Sequence, residues 1–349
     1  MKPEIPLIII KILGTVILLS CSGLLVNIVI NTCNEFLARK RGLMSGIGRS
    51  LKKIIADFLK LIFKERTISH NIKPTTLFVA VAISMILAFL PGSLLPFGVE
   101  INLLQDVGNM EVLTINPAIL YLFLFLFLGS LHKILPEWIS NNKVSMIGIW
   151  RFLQKQVYIE LVMLIIFLSV YINNRSGNLH EIVVTQTGQL WGIIPRWGIF
   201  VQPVGAILFF FCILVNNGLF PFDDEKNDIL SDGFHGECLS IKYLLYKLSA
   251  NVYLATMILV FIMVFLGGYE TIWVPDHSEV VFYKNIQVLR AASMLIKLLI
   301  ATIVVSMSKW GLARFKVSQF VNFAKYYLLP LAIFDLLMST FCLYFKAAF

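Results

Sequence analysis

Cysteine is scarce and unpaired in this chain: Cys21, Cys33, Cys212, Cys238 and Cys342 share no repeated spacing and mostly lie in or beside apolar runs. No disulfide framework and no metal site follow from them. A glycine-rich phosphate cradle is missing, as is a nucleophile set beside its base, so nucleotide, flavin and iron–sulfur chemistry are not expected on this chain. The related halves with broken spans that mark one class of carrier are not visible either. Charge is thin, at 14% of residues, which places the chain outside soluble globular composition. The first apolar run, about residues 6–30, is too long for a signal-peptide core and lacks a small-residue cleavage site. It reads as a retained span.

Hydrocarbon is what the chain has instead. Of its 349 residues, 58% are hydrophobic, and mean hydropathy is +0.83. Runs near the ~20 residues that a bilayer core requires fall at roughly 6–31, 76–98, 115–135, 153–172, 196–217, 243–267, 288–308 and 326–346. The expected fold class is all-α: a single polytopic membrane domain over residues 1–349 with about eight transmembrane helices plus an amphipathic interfacial helix.

Basic residues orient it. The first connection holds Arg39, Lys40, Arg41, Arg49, Lys52, Lys53, Lys60, Lys64, Arg66 and Lys73, whereas the second, 99–114, holds no Lys or Arg. By the positive-inside rule the odd-numbered connections face the cytoplasm or its mitochondrial equivalent, and both termini face out. Lys143, Arg151 and Lys155 fall on the same inner side, as do Lys309, Arg314 and Lys316. The net charge of +9 is therefore a topology signal and not a nucleic-acid footprint. Within the first connection, Leu51, Ile54, Ile55, Phe58, Leu59, Ile62 and Phe63 recur at steps of three and four with lysines between. That spacing describes a helix lying in the membrane interface.

Carboxylates concentrate where they are costly. Residues 216–237 hold six of the 20 acids and one of the five histidines, and polar groups beside hydrocarbon tend to mark ion or proton pathways. Asp223, Asp224, Glu225, Asp228 and Asp232 repel one another, so a proton gained by one relieves the rest. The plainer alternative is a solvated acidic loop that docks a basic partner. His235 and Glu237 stand close enough to share a proton, or the histidine is structural. Glu160 lies about eight residues into the fourth run, with Arg151 and Tyr158 near the same entrance. It reads as a proton carrier in a polar axis or as a glutamate at the membrane surface. Asp57 with Lys60, and Lys64 with Glu65, read as ordinary helix pairs or, as readily, as groups at the entrance of a ligand. Asp335 stands among Phe334, Leu336 and Leu337, where an unpaired charge costs about 2.5–3.5 kcal/mol. A neutral form or a partner is expected, and Lys297 is the simplest one.

Several of these stretches resemble one family. Trp138-Ile139-Ser140-Asn141-Asn142-Lys143, followed by Arg151, Tyr158 and Glu160, resembles the third inner loop and next span of the H-type membrane subunit (subunit 1 in mitochondria) of the proton-translocating NADH:quinone oxidoreductase, complex I. Pro221-Phe222-Asp223, then Leu230, Gly233-Phe234-His235 and Glu237, is similar to its acidic loop. Further matches are Ala56-Asp57, Lys64-Glu65, Leu95-Pro96-Phe97-Gly98, Glu181-Ile182-Val183 with Gln186, Gln202-Pro203 and Arg314-Phe315. They run in order over most of the chain. Departures are equally specific: Asn216 and Leu219 occupy the family's Glu and Arg positions, and Asn227 and Ile229 replace two loop acids. Cys238 stands for a Tyr, Ala250 for a Glu, and the first-loop motif reduces to Arg39-Lys40-Arg41-Gly42-Leu43-Met44.

The resemblance implies a subunit that forms a quinone tunnel against a peripheral arm and couples quinone reduction to proton translocation, reducing nothing alone. Carried onto this chain, the catalytic positions are Glu160, Asp223, Glu225 and Glu237. Tunnel and coupling candidates are Lys40, Asp57, Arg151, Tyr158, Asp224, Asp228 and His235. Quinone would be bound at the interface with other subunits, with no metal and no covalently held cofactor. Implied partners are peripheral iron–sulfur and 49-kDa-type subunits at the cytoplasmic or matrix face, small and antiporter-like membrane subunits, and the lipid bilayer, without nucleic acid. The membrane is the bacterial inner membrane or the mitochondrial one. A hydrogenase or ferredoxin-linked complex, and a scaffold that has lost quinone coupling, stay open as alternatives.

Overall fold

The computed structural model describes residues 4–38, 43–63, 74–97, 100–103, 106–109, 112–113, 115–140, 143–190, 194–223, 241–270 and 283–348. In hydrocarbon a backbone amide must find its partner within its own segment, so the apolar runs become helices. In order they are α1 (Glu4–Leu37), α2 (Leu43–Phe63), α3 (Pro74–Phe89), α4 (Ala118–Ser130), α5 (Ile134–Ile139) and α6 (Lys143–Asn174). Then come α7 (Leu179–Thr185), α8 (Gly198–Val201), α9 (Pro203–Asn216) and α10 (Ile241–Phe265). Last are α11 (Tyr283–Gly311) and α12 (Val317–Phe323), the latter joined through a π-turn at Ala324–Leu328 to α13 (Leu329–Ala348). Two short backbone ladders in the connections pair Glu100–Leu103 with Asp106–Asn109 and Gln189–Leu190 with Ile194–Pro195. They leave the fold class all-α.

Among the described residues, seven helices are long and apolar enough to cross a membrane. The expected span at 196–217 is different. It divides at Gln202, whose φ of −134° and ψ of 69° are not helical. Pro203 is the cause, because proline pushes the residue before it out of the helical region and brings no N–H of its own. What remains as α9 is 14 residues, or about 21 Å of helix.

Burial is centred on α10. Tyr253, Met257, Ile258, Ile262 and Phe265 are fully enclosed there, and α1, α3, α9 and α11 pack around it. The outer helices show the reverse pattern, with Ile17 of α1, Ile300 of α11 and Leu337 of α13 exposed, as a hydrocarbon surround requires. Along α2, Leu51, Ile55, Phe58, Leu59, Ile62 and Phe63 are exposed while Ser50 and Leu61 pack inward. The amphipathic helix thus rests on the bundle by a narrow edge and offers the rest of its apolar surface outward. On the outer side the Gln186 side chain ties three elements together, accepting from the Gly198 N–H at 3.1 Å and the Gly267 N–H at 2.9 Å and donating to the Met263 carbonyl at 3.0 Å.

One expected partnership fails. Lys297 donates to the carbonyls of Gly268 and Glu270, each at 2.8 Å, whereas Asp335 accepts from Ser169 at 2.8 Å and from the Gly205 N–H at 3.2 Å. The two charges face different neighbours: Lys297 lies under the turn that follows α10, and Asp335 faces α6 and α9.

Gly198 allows α8 to sit on α10. A Cβ at that position would meet the Val264 carbonyl oxygen and lie 3.0 Å from Phe265 Cα, both backbone atoms that have no rotamer to escape into. Gly198→Ala is expected to destabilise the fold by about 1–3 kcal/mol. Thermal denaturation of the detergent-purified protein would read the loss. Gly311→Ala, at the exposed end of α11 with nothing within 4 Å, serves as the neutral comparison.

Candidate functional site: a polar axis at the inner end of the bundle

Where α9 stops, the N–H groups of Asn217, Gly218 and Leu219 close on the Ile213, Val215 and Leu214 carbonyls at 3.3, 3.0 and 2.9 Å, which leaves the Asn216 carbonyl and those of the turn beyond it to find partners elsewhere. The chain turns through Gly218, whose φ is +54°, into Pro221-Phe222-Asp223. Neighbouring elements capture the freed backbone. Lys155 of α6 donates its ammonium to the Phe222 carbonyl at 2.8 Å, and Lys133 donates to the Asn216 carbonyl at 3.3 Å. The Ser308 hydroxyl of α11 donates to the Phe220 carbonyl at 3.0 Å, and the Phe315 N–H to that of Pro221 at 3.1 Å. Lys155 is fully buried, a position that an ammonium holds only when hydrogen-bonded.

The Phe222 ring completes the anchor. It is 1% exposed and meets Phe211, Phe315 and Phe320 at centroid distances of 6.2, 5.5 and 5.0 Å. With the ring drawn inward, Asp223 points the other way, toward Arg314, whose Nε lies 3.1 Å from its carboxylate.

Glu160 lies behind this turn, 6% exposed. Its Oε1 accepts from the Gln156 amide, one turn back on α6, and from Asn216 Nδ2 at 3.5 Å. The nearby Ser130 hydroxyl donates to the Phe127 carbonyl at 2.7 Å. Beside them, His132 bonds the Gly129 carbonyl through Nδ1 at 2.8 Å and packs its ring 4.8 Å from that of Tyr253. Four buried polar atoms here have no partner: Glu160 Oε2, Gln156 Oε1, Asn216 Oδ1 and His132 Nε2. Buried polar atoms are seldom left so unless ordered water reaches them. The arrangement can therefore hold water against a carboxylate, two amides and an imidazole, which are the components of a path for protons.

The residues singled out in the sequence are distributed unevenly. Glu160 and Asp223 flank one turn, which Lys155, on the helix that carries Glu160, holds by the Phe222 carbonyl. Arg151 and Tyr158 are half-buried, and neither bonds Glu160. Tyr158 precedes it by two residues, which on a helix directs it to another face. Asp57 does not pair with Lys60 as helix spacing suggested; its partner is Lys247 of α10 at 3.3 Å. Lys40, Lys64, Glu65, Asp224, Glu225, Asp228, His235 and Glu237 lie outside the described residues. Sequence reasoning missed Lys133, Lys155 and His132. Lys155 was visible only as an inner-side charge, and the available signal was its position well inside the helix that carries Glu160. Among the described residues no group of three His, Cys, Asp or Glu comes together to hold a metal ion.

A helical membrane bundle with ionisable side chains held in its core is the class that this fold and site define. Known proteins specify it further. A family model described as NADH dehydrogenase matches residues 10–340. The H-type NADH-quinone oxidoreductase subunit of Flavobacterium psychrophilum is 27% identical over 292 residues, covering 83% of each chain. An H-type subunit of the same enzyme from Cytophaga hutchinsonii is 25% identical over 291 residues, 83% of this chain and 82% of that one. One from Geobacter sulfurreducens is 30% identical over 228 residues, 62% of this chain and 64% of that one. The chain belongs to the NADH dehydrogenase family, as a divergent H-type membrane subunit of complex I.

Lys155→Met keeps the length of the side chain but deprives the Phe222 carbonyl of this donor. The expected cost is about 1–3 kcal/mol, seen as a lower denaturation midpoint in detergent and faster proteolysis between α9 and α10. A midpoint equal to that of the parent protein would show that the carbonyl needs no ammonium.

Proposed function

We propose that this chain is the membrane subunit of a respiratory NADH:quinone oxidoreductase that builds the quinone tunnel against the peripheral arm and couples quinone reduction to proton translocation. A groove between α1, α2 and α10 carries the reading. It has a volume of about 420 Å3 and is lined by Leu24, Ile55, Phe58, Leu61 and Leu248, with Asp57 and Lys247 among the few polar groups on its wall. An apolar slot beside an interfacial helix suits an isoprenoid tail arriving from the bilayer. The ion pair on its wall offers a donor and an acceptor to the head group.

Reduction of a quinone consumes two electrons and two protons. The electrons come from redox centres of other subunits, and the charge they place on the head group is felt by nearby carboxylates before protons arrive. Asp223, fixed by Arg314, faces the inner side. Glu160 stands behind it, joined through Gln156 and Asn216 to unpartnered polar atoms that water can bridge. Glu160 is accordingly the residue assigned to take and return a proton. Bacterial relatives favour the cytoplasmic membrane as the location.

Purification in mild detergent is expected to bring iron–sulfur, flavin and antiporter-like subunits with this chain; a lone homo-oligomer would remove the proposal. Leu24→Trp is expected to narrow the groove and raise the KM for a long-tailed quinone about tenfold, equivalent to ~1.4 kcal/mol, with reduction of a water-soluble acceptor unchanged. Glu160→Gln is expected to abolish quinone-linked proton uptake in membrane vesicles while assembly stays intact. Unchanged uptake would count against the role given to Glu160.

A further inference from the structure

A second polar centre lies in the outer half of the bundle, and neither the inner site nor the groove uses it. Ser169 of α6 is nine residues beyond Glu160, about 14 Å farther along the helix. Its hydroxyl lies 2.8 Å from Asp335 Oδ2 and 2.7 Å from the Ser339 hydroxyl, one turn on from Asp335 along α13. The Gln202 amide, at the break before α9, donates to Ser169 at 2.6 Å and to Ser339 at 2.7 Å. Asn173 donates to Ser339 at 3.2 Å. The other carboxylate oxygen accepts the Gly205 N–H at 3.2 Å, one of the amides left free in the first turn of α9. Asp335, Ser169, Gln202 and Ser339 are all buried.

This cluster has an exit. Asn173 and Gln202 also line a cleft of about 20 Å3 with Asn174, Thr185 and Arg196, and a water needs only about 10–15 Å3. Ser339 is therefore one hydrogen bond behind the wall of a polar cleft on the outer side. Asp335, Ser169 and Ser339 form a row of exchangeable groups that ends behind the Asn173 and Gln202 amides of the cleft wall, where the Ser339 hydroxyl rests on the Asp335 carbonyl at 2.8 Å.

We propose that Asp335 is a proton-exchange site open to the outer face through Ser169, Ser339 and the water-sized cleft. The step is a concerted shift. The Asp335 carboxyl O–H gives its proton to Ser169 Oγ, Ser169 passes its own to Ser339 Oγ, and Ser339 turns from the Asp335 carbonyl to pass its own to a water that enters between the Asn173 and Gln202 amides. The carboxylate left behind is held by the Gly205 N–H and the Ser169 hydroxyl. Spacings of 2.6–2.8 Å among the side chains are hydrogen bonds and leave no gap for a metal ion, so the exchanging species is a proton. Arg196 is the charged side chain that lines the cleft, and its repulsion favours onward release to bulk water. This site extends the proton-coupling reading, and rests on it only for where the proton originates.

The test uses the purified complex. On transfer from H2O to D2O, infrared difference spectra are expected to show the carboxylic C=O stretch of Asp335 shifting, and the band is expected to be missing in Asp335→Asn. Ser339→Ala is expected to keep the band and slow its shift at least tenfold with quinone reduction unchanged; it also guards against a fold too weak to tolerate Asp335→Asn. Identical spectra for the parent and Asp335→Asn would overturn the proposal, as would a Ser339→Ala exchange rate equal to that of the parent. A band lost on adding sodium salt at fixed pH would make this a cation site and overturn it too. In proteoliposomes, Asp335→Asn is expected to lower the protons moved per electron. A parent complex that reduces quinone without moving any proton would refute the coupling reading while leaving the D2O result standing.

Discussion

A helix with buried ends must have those ends satisfied by something other than water, and α9 is such a helix. Its inner end presents carbonyl oxygens with partial negative charge, and its outer end presents N–H groups with partial positive charge. The surrounding side chains follow that polarity. Lys133 and Lys155 meet the carbonyls at and beyond Asn216, and Asp335 meets the Gly205 N–H. Cations gather at one end and a carboxyl group at the other. Each buried charge would be costly alone, and each unpaired backbone group would be costly alone. Together they offset one another and fix α6 and α13 against α9.

The same constraint separates two polar centres. Asn216 and Gly205 are eleven residues apart, about three turns, so both lie near one face of α9. Between them Phe209 and Cys212 are fully buried and provide no polar continuation. The inner centre is open in its bonding, with unpartnered atoms on Glu160, Gln156, Asn216 and His132. The outer centre is fully bonded, every hydroxyl engaged. An under-satisfied site takes in water, whereas a fully bonded one moves protons only along the bonds it has, so the two halves suit different steps of one process.

Much of this was legible beforehand. The bilayer sets a length, and runs of that length are conspicuous, so the helices and the interfacial α2 followed from apolar spacing alone. The Pro-Phe-Asp turn stood out because charge is expensive where it sits. Which faces meet was not legible. Asp57 pairs with Lys247, far along the chain, and Lys297 and Asp335 sit under different neighbours because rotation about each helix axis is decided by packing. Lys155 was counted among inner-side charges, and such a count ignores whether a lysine faces water or the core. Asn216 stood out as a missing acid, yet the structure gives it work: its amide reaches Glu160 and its carbonyl receives Lys133. The Gln202-Pro203 pair was noticed only as a match to the family, and its real consequence is the break.

The level at which Lys155 grips the turn also sets a depth. From Lys155 back to its start at Lys143, α6 continues for twelve more residues, rising about 18 Å on the inner side. Its flank is buttressed there by Ile134, Ile149 and Phe152. The grip on Phe222 thus lies little more than a third of the way along a 32-residue helix. A tilt of that helix carries the turn with it, as a lever carries its load.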